Sequence, residues 1–295
     1  MTSYPDFMCV GAQKAATTWL YDALRWIPGI FLPVIKELHY FSELYTQDAK
    51  CFGPKHRREQ IKQTREYYMA KQKRSKYDDL ILAQLDHLDT TELSDDWYRG
   101  IFDFATDRDF CGEICPCYMS MPMRGVRHVL NINPLMRVLV LVRDPVDRIW
   151  SHMRMHTKIG ILKFDLEQIL SGNISMGSYM QYTDYANSIR RWKTMTGEGR
   201  FRAIVYDRIG QEPSVVLDEI LDFIGAPKAI TKKDISKSIF SGDKITLPPE
   251  LREKLFCDLQ PQYDFLHSMF PDQVDIWVKR HENAMNRSEN KQLVN

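Results

Sequence analysis

The amino-acid sequence predicts an α/β fold in which a mainly parallel central sheet is flanked by helices. Short apolar segments typical of buried strands alternate with longer segments typical of helices, which is the pattern of parallel sheets. The clearest strand is Arg137–Val142, where the apolar run VLVLV indicates a central strand covered on both faces. No repeat or linker divides the chain, so we expect a single domain over residues 1–280 and a polar, frayed tail over residues 281–295.

The first predicted strand, Phe7–Val10, leads into a turn that is suited to binding an anion. Gly11 ends the strand, small residues surround Lys14, and a helix begins at Thr17. Backbone N–H groups and the positive helix end would point at one position there, which favours a phosphate or sulfate. The alternative is a tight strand–helix turn with a surface lysine.

The spacing of this turn differs from that of ATP-binding P-loops. The Walker A motif requires a second glycine, which is absent, and here Lys14 precedes the hydroxyl pair Thr17 and Thr18 by three residues. We therefore expect a phosphate-like ligand that is not bound as a metal–nucleoside triphosphate complex.

A charged cluster and a helical insertion follow the first helix. The apolar segment Ile30–Ile35 predicts a second strand, which ends at the cluster Lys36–Phe41 on the edge of the sheet where ligands usually bind. Residues 51–96 predict a helical insertion. Residues 55–76 contain nine Lys or Arg and two Glu, whereas residues 77–96 contain seven acids and no Lys or Arg. The charged faces either pair with each other on a solvated surface or form a basic lid over an anionic substrate.

The central strand ends at a second candidate phosphate-binding segment. Arg143 stands at the strand end, where a guanidinium can clamp a phosphate with two donors. Asp144 and Pro145 are suited to be the N-cap and first residue of the next helix. Ser151 would direct its hydroxyl to the same face about two turns further on. An ion pair between Arg143 and Asp147 is the alternative.

The other segments predict one more strand and several helices. In the strand-to-turn segment Phe110–Tyr118 a single acid, Glu113, stands among apolar neighbours, and Cys115 and Cys117 are interpreted as part of a buried turn. The remaining elements are the helices at 127–133, 164–170, 179–192 and 213–224, the strand Phe201–Tyr206, and a last helix at 250–270.

Composition limits the partners and the compartment. The net charge of +1 provides no broad basic field that would attract nucleic acid or a membrane surface, and no apolar run approaches the ~20 residues of a membrane span. The six cysteines have neither a secreted nor a zinc-binding spacing, so we expect free thiols in the cytoplasm and no metal. Local lysines and arginines must then hold any anionic ligand.

Two segments together resemble a known family. The sequence VGAQKAATTWL at 10–20 resembles the 5′-phosphosulfate loop of sulfotransferases that use 3′-phosphoadenosine 5′-phosphosulfate (PAPS), and LVRDPVDRIWS at 141–151 resembles their 3′-phosphate segment. Lys36–Phe41, Gly112–Tyr118 and Phe240–Lys244 add to the resemblance, which covers about residues 5–270. It is closest to the heparan-sulfate-type group and to bacterial small-molecule sulfotransferases.

The resemblance implies a P-loop-like sulfotransferase fold and a reaction. The sulfonate group would move from PAPS to a hydroxyl or amine of a small-molecule or glycan acceptor, leaving adenosine 3′,5′-bisphosphate (PAP) as the product, without a metal. Lys14 would stabilise charge on the leaving phosphate. The resemblance assigns the 5′-phosphate to Thr17, Thr18 and the backbone of Ala15 and Ala16, the 3′-phosphate to Arg143 and Ser151, and closure over the nucleotide to Gly242 and Lys244. It places Trp19 and Phe240 among the other residues that bind the cofactor.

The resemblance also implies a base that takes the proton of the acceptor. Glu37, in the pattern K-E-x-H-Y-F, is the first candidate. His39, predicted on the same strand face, would orient the acceptor or replace the base, or would be a core histidine. Glu113 is the second candidate. It precedes Ile114, where the heparan-sulfate group commonly has a lysine, and this difference favours a smaller or less anionic acceptor.

Two other functions are consistent with a phosphate-binding α/β fold. One is a P-loop nucleotide kinase or NTPase, which would require Mg²⁺ and ATP. The other is a non-catalytic nucleotide-binding module, which would bind the bisphosphate without transferring a sulfonate group.

Overall fold

The computed structural model describes residues 4–90, 92–106, 109–226, 235 and 245–292. Within these residues the centre of the fold is a five-stranded sheet whose strands are all parallel. The strands are β1 (Phe7–Gly11), β2 (Ile30–Phe31), β3 (Phe110–Ile114), β4 (Arg137–Val142) and β5 (Phe201–Val205). Their order in the sheet is β2-β3-β1-β4-β5. This arrangement confirms the predicted α/β fold class.

The middle strands β1 and β4 determine where a ligand would bind. All residues of β1 are buried, and so are those of β4 after Arg137, as expected for strands covered by helices on both faces. Met8 of β1 pairs with Glu113 of β3 on one side and with Val138 of β4 on the other. The chain leaves β1 towards β2 and β3, but leaves β4 towards β5 on the opposite side. The carboxyl ends of β1 and β4 therefore form a topological switch point, where open α/β sheets bind ligands.

Helices connect and flank the strands. They are α1 (Thr17–Leu24), α2 (Tyr40–Tyr45), α3 (Gln47–Met69), α4 (Lys76–Leu88), α5 (Asp95–Gly100), α6 (Met123–Ile132), α7 (Pro145–Lys158), α8 (Leu166–Leu170), α9 (Gly177–Gln181), α10 (Tyr185–Thr196), α11 (Tyr206–Gln211), α12 (Pro213–Ile224), α13 (Pro249–Asp258), α14 (Gln260–His267) and α15 (Pro271–Gln292). Short 3₁₀ helices lie at Phe102–Phe104, Pro116–Ser120 and Glu198–Arg200. Among the described helices, none has both the length and the apolar character that crossing a bilayer requires.

The predicted helical insertion is formed by α3 and α4. Lys71 Nζ lies 2.6 Å from Asp78 Oδ1, and Arg65 contacts both Asp86 and Asp89. Arg65 of α3 and Lys71 in the turn after α3 thus pair with acidic residues of α4 and of the turn that follows it. This pairing confirms the first of the two interpretations, paired faces on a solvated surface, and does not indicate a basic lid.

The second strand is shorter than predicted. We expected it over Ile30–Ile35, but β2 contains Ile30 and Phe31 alone. Pro33 has no N–H to donate to a neighbouring strand, so strand pairing stops before it. The cluster Lys36–Phe41 accordingly follows an irregular segment and does not lie at a strand end.

The carboxyl-terminal region is more helical than predicted. The predicted helix at 250–270 is two helices, α13 and α14, and α15 continues past Arg280 to Gln292. His281 is buried, and its Nε2 atom lies 2.9 Å from Asp144 Oδ2. Residues 281–292 therefore continue α15 and do not form the frayed tail that we expected, and the His281 contact fixes the first of these residues against the beginning of α7.

Candidate active site

The turn between β1 and α1 forms a cradle at the switch point. Lys14 and Ala16 adopt the left-handed backbone conformation, with φ angles of 69° and 68°. This conformation is uncommon for residues other than glycine and occurs often in functional turns. The Ala12 N–H donates to the Leu141 carbonyl of β4 at 2.9 Å, which ties the cradle to the central strand.

The first turn of α1 is open to an anion. Its N-cap, Ala16, makes no side-chain hydrogen bond to the helix, and the first turn contains no acidic residue. Thr17 is buried and Thr18 is half-buried beside it. The N–H groups and the dipole of such a helix end favour a bound anion. These are the residues that the resemblance assigns to the 5′-phosphate.

The other residues predicted to bind the nucleotide near this turn either lie in the core or fall outside the described residues. The Trp19 ring belongs to the core, since it is buried and its Nε1 atom donates to the Ile235 carbonyl at 2.9 Å. Only the backbone of Trp19 is therefore available to a ligand. Phe240, Gly242 and Lys244 lie outside the described residues.

Positive charge is concentrated around Lys14. Burial lowers the pKa of the Lys14 ammonium group, and neighbouring cations lower it further, while Glu37 partly offsets them. These cations are Arg143, Lys36 and Arg154. Like charges held together in a half-buried site repel one another, and a bound anion would relieve the repulsion. The electrostatics of the cradle thus match its open N–H groups.

Arg143 connects the end of β4 to the cradle. Its Nη1 atom donates to the Lys14 carbonyl at 2.8 Å. Asp147 contacts Arg280 at 2.8 Å, so the alternative ion pair between Arg143 and Asp147 is not what the structure shows. Ser151 is half-buried on α7, about two turns from its beginning. The two cations predicted to bind phosphates, Lys14 and Arg143, therefore come together.

Arg148 is a neighbour of the cradle to which sequence reasoning assigned no role. It is completely buried; its Nε atom donates to Thr183 Oγ1 at 2.8 Å and its Nη2 atom to the Tyr179 carbonyl at 2.7 Å. Its Nη1 atom also reaches the Gln13 carbonyl at 3.4 Å. Burial lowers its pKa to about 10, which leaves it charged at neutral pH. The one sequence feature that could have indicated a role for Arg148 is its position inside the candidate 3′-phosphate segment at 141–151.

Glu37 lies in a second turn, close enough to Lys14 to affect its pKa. Its side chain is 17% exposed, so solvent reaches it. The Lys36 ammonium group donates to Oε1, and Oε2 lies 3.6 Å from His39 Nε2. Burial raises the pKa of the Glu37 carboxyl, but Lys36 and His39 together hold it below its ordinary value. Glu37 is thus ionised at neutral pH and able to accept a proton.

His39 does not lie on a strand, contrary to our prediction. It is the N-cap of α2, has a φ angle of 61° and is completely buried. Its ring makes edge contacts with Phe52 and His56, whose ring centres are 4.9 and 5.4 Å away. Burial lowers the His39 pKa to about 4, so the ring is neutral at pH 7. His39 is therefore a buried neighbour of Glu37.

Glu113, the second candidate for the base, is closed off behind this turn. It is buried, and the Tyr98 and Tyr118 hydroxyls donate to its two oxygens at 2.6 and 2.7 Å. The Leu38 N–H donates to it as well. Burial raises its pKa to about 7. This position makes Glu113 a support for the Glu37 turn and not a group that an acceptor could reach.

Helix α3 supports the same turn from its other side. Arg57 is buried and its Nη1 atom donates to the Leu38 carbonyl at 2.9 Å, while the same guanidinium pairs with Glu43. Gln60 Nε2 donates to the Lys36 carbonyl at 2.8 Å. Sequence reasoning saw Arg57 only as part of a charged run, and nothing in the local pattern distinguished it from its exposed neighbours.

A turn rich in cations, followed by an uncapped helix start at the switch point of a parallel sheet, defines a P-loop-like α/β protein. The family is then shown by the sequence: residues 5–229 match the model of the sulfotransferase family. The chain belongs to that family, as the resemblance predicted. A comparison with curated protein sequences finds no match.

Solved structures share the fold at low sequence identity. A sulfotransferase from Alicyclobacillus acidocaldarius matches with a TM-score of 0.68 and 19% identity, over 93% of this chain and 99% of that chain. The sulfotransferase domain of the curacin biosynthetic pathway has a TM-score of 0.54 and 16% identity, over 84% and 82%. Sulfotransferase STF9 from Mycobacterium avium has a TM-score of 0.52 and 14% identity, over 91% and 77%.

Proposed function

We propose that this protein is a PAPS-dependent sulfotransferase that transfers the sulfonate group to a hydroxyl or amine of a small-molecule or glycan acceptor. The observation that carries the proposal is the pairing of two sites. An uncapped helix start surrounded by clustered cations lies close to a carboxylate that is ionised and reached by solvent. The first suits the phosphates and sulfonate of PAPS, and the second suits a proton acceptor.

In this proposal PAPS supplies an activated sulfonate group, and the residues of the chain act around it. Glu37 takes the proton of the acceptor as the new bond to sulfur forms. Lys14 donates to the oxygen that receives the electron pair of the breaking sulfur–oxygen bond, where negative charge develops. The backbone of Ala15 and Ala16 and the hydroxyls of Thr17 and Thr18 hold the 5′-phosphate.

At the other end of the nucleotide, Arg143 and Ser151 hold the 3′-phosphate. Arg143 is already oriented by its hydrogen bond to the Lys14 carbonyl, so the two phosphate contacts would form as one unit. Phe240, Gly242 and Lys244 would close over the nucleotide. None of these steps requires a metal ion.

The acceptor and the compartment are part of the proposal. Ile114, where a lysine would add positive charge, is buried at the end of β3, which favours an acceptor less anionic than a sulfated polysaccharide. The sulfotransferase domain named for curacin biosynthesis is compatible with a natural-product acceptor.

The cysteines at 9, 111, 115, 117 and 257 are free, which favours the reducing cytoplasm. We also propose that residues 1–280 act as one domain.

An acceptor screen tests the proposal. The full chain is incubated with ³⁵S-labelled PAPS and panels of alcohols, phenols, amines and oligosaccharides, and products are detected by radioactivity and by the mass gain of one sulfonate group. We expect transfer to at least one panel member, and transfer that is about 10²- to 10³-fold slower from a protein with Lys14→Ala.

Ligand stabilisation separates the proposal from its rivals. A ligand that binds only the folded state raises the melting temperature, so PAP without metal should stabilise the protein more than ATP with Mg²⁺. Stabilisation by ATP with Mg²⁺ alone would contradict the proposal in favour of a nucleotide kinase or NTPase. Stabilisation by PAP without transfer to any acceptor would instead indicate a non-catalytic module.

A further inference from the structure

Three side chains that are separate in the sequence meet beside the candidate base. Glu37 and His39 come from the turn before α2, and Cys117 comes from the 3₁₀ helix after β3. A carboxylate oxygen of Glu37, a ring nitrogen of His39 and the sulfur of Cys117 all lie within 4.8 Å of one another. Sequence spacing did not reveal this group, because the fold and not a local motif brings Cys117 to the other two.

The hydrogen bonds of His39 leave a lone pair directed into this group. The Ser42 hydroxyl donates its only hydrogen to the His39 carbonyl at 3.1 Å, so Ser42 Oγ accepts from His39 Nδ1, 3.2 Å away, and the Cys115 sulfur, 3.7 Å from Nδ1, lies beside the same N–H. The ring proton is thereby assigned to Nδ1, and Nε2 carries the lone pair. Nε2 has no hydrogen-bond partner among the described residues, although His39 is completely buried. Histidines that bind metals show this arrangement, with the second ring N–H donated to an oxygen.

The other two groups are also prepared as ligands. The Lys36 ammonium group is bonded to Glu37 Oε1, which leaves Oε2 to face His39 Nε2 at 3.6 Å. Two acceptors facing each other repel, unless a cation or proton lies between them. The Tyr182 hydroxyl donates to the Cys117 sulfur, but burial and the nearby Glu37 raise the pKa of this thiol well above its ordinary value, so a bound cation has to displace the thiol proton. A divalent ion between one carboxylate and one thiolate would leave the group with no net charge, despite Lys36 nearby.

We propose that Glu37, His39 and Cys117 form a binding site for a zinc-class divalent cation. A set of one oxygen, one nitrogen and one sulfur ligand is typical of Zn²⁺, and three protein ligands leave the fourth position open. Binding would release the Cys117 proton to solvent and would involve no change of oxidation state. The ion would occupy Glu37 Oε2 and so prevent the carboxylate from taking a proton. This inhibitory consequence rests on the proposed function, whereas metal binding itself does not.

Cobalt spectroscopy tests the site without any transfer reaction. The full chain, reduced and freed of metal, is titrated with Co²⁺, and Zn²⁺ affinity is then measured by displacement. We expect one Co²⁺ per chain, intense visible bands of a four-coordinate ion and a near-ultraviolet sulfur-to-cobalt band. Cys117→Ser should abolish the sulfur band and weaken Zn²⁺ binding about tenfold or more. Cys257→Ser, which removes an exposed cysteine, is the matched control and should bind as the wild type does.

Glu37→Gln keeps the test informative if the Cys117 variant does not fold, since it should retain the sulfur band but weaken Zn²⁺ binding by a similar factor. No stoichiometric Co²⁺ in the wild type, or a sulfur band lost in Cys257→Ser but kept in Cys117→Ser, would overturn the proposal. If transfer has been established, the ratio of the transfer rate without Zn²⁺ to the rate with Zn²⁺ is measured for each protein. This ratio should be large for the wild type and for Cys257→Ser and small for Cys117→Ser. A protein that binds Co²⁺ through sulfur but never transfers a sulfonate group would refute the proposed function and leave the metal site intact.

Discussion

The turn that holds Lys14 and the turn that holds Glu37 have the same backbone form. Each has two left-handed residues two positions apart, Lys14 and Ala16 in one and Glu37 and His39 in the other. In each turn the second of these residues is the N-cap of a helix. Left-handed residues other than glycine cost of order 1–3 kcal/mol each, so both turns need support from their surroundings.

The two turns differ in the origin of that support. The Lys14 turn is held from the centre of the sheet, by the Leu141 carbonyl and by Arg143 at the end of β4. The Glu37 turn is held by side chains from β3 and from the helical insertion, namely Glu113, Arg57 and Gln60. The difference teaches that the anion side of the site depends on the core of the fold alone, whereas the base side depends both on the core, through Glu113 of β3, and on an inserted helix.

The largest expected effect is on the anion side. Lys14→Ala removes the donor proposed to stabilise the leaving group, and we expect transfer to fall about 10²- to 10³-fold. PAP affinity should fall with it, because the same cation faces the bound anion. Steady-state kinetics and calorimetry measure the two effects, with Lys62→Ala on the exposed surface of α3 as the control. Unchanged transfer in Lys14→Ala would remove Lys14 from the mechanism.

A smaller effect tests whether the insertion supports the base. Arg57→Ala removes the donor to the Leu38 carbonyl. It also removes the ion-pair partner of the Glu43 carboxylate, which lies largely out of solvent. We expect the free energy of unfolding to fall by about 3 kcal/mol and kcat to fall while PAP affinity is kept. Denaturant unfolding and kinetics are compared with Arg58→Ala, a change at the exposed next position. Equal losses of PAP affinity and kcat would contradict the separate support of the two turns.

The effect expected to change transfer least is a pH dependence of stability from Glu113. Its pKa is raised from 4.5 to about 7 in the folded protein by burial, so the folded state binds more protons than the unfolded state between these values. The free energy of unfolding should therefore fall as pH rises from 4.5 to 7 and stay level above 7. Glu113→Gln should flatten this slope, and Glu59→Gln on the exposed face of α3 should not. Denaturant titrations at several pH values measure it, and equal slopes in all three proteins would show that Glu113 does not titrate in this window.

The same comparison explains what the sequence could predict. The Lys14 cradle and Arg143 are local patterns next to continuous apolar strands, so the fold class and the anion side followed from periodicity and motif spacing. The family resemblance rested on the same segments, and the family match confirms it. Arg143 and Lys14 are far apart in the chain, but parallel strands that end at one edge bring them together.

The base side could not be predicted in the same way. The apolar run at 30–35 suggested a strand, but Pro33 ends the pairing, so Glu37 and His39 lie in a turn and not on one strand face. Arg57 and Gln60 gain their roles only from the packing of α3 against that turn. Trp19 was placed with the ligand because of its neighbours, although its burial depends on a contact with Ile235. Tertiary contacts of this kind leave no periodic signal.

The central claim is that Glu37 serves the acceptor while the cradle holds the nucleotide. Its most direct test measures single-turnover transfer of labelled sulfonate and PAP affinity in the same preparations of the wild type and Glu37→Gln. We expect transfer to fall about 10²-fold or more and PAP affinity not to fall, since the amide cannot take a proton, and loss of the Glu37 charge leaves the cations around Lys14 less neutralised. Transfer by Glu37→Gln at the wild-type rate would contradict the account.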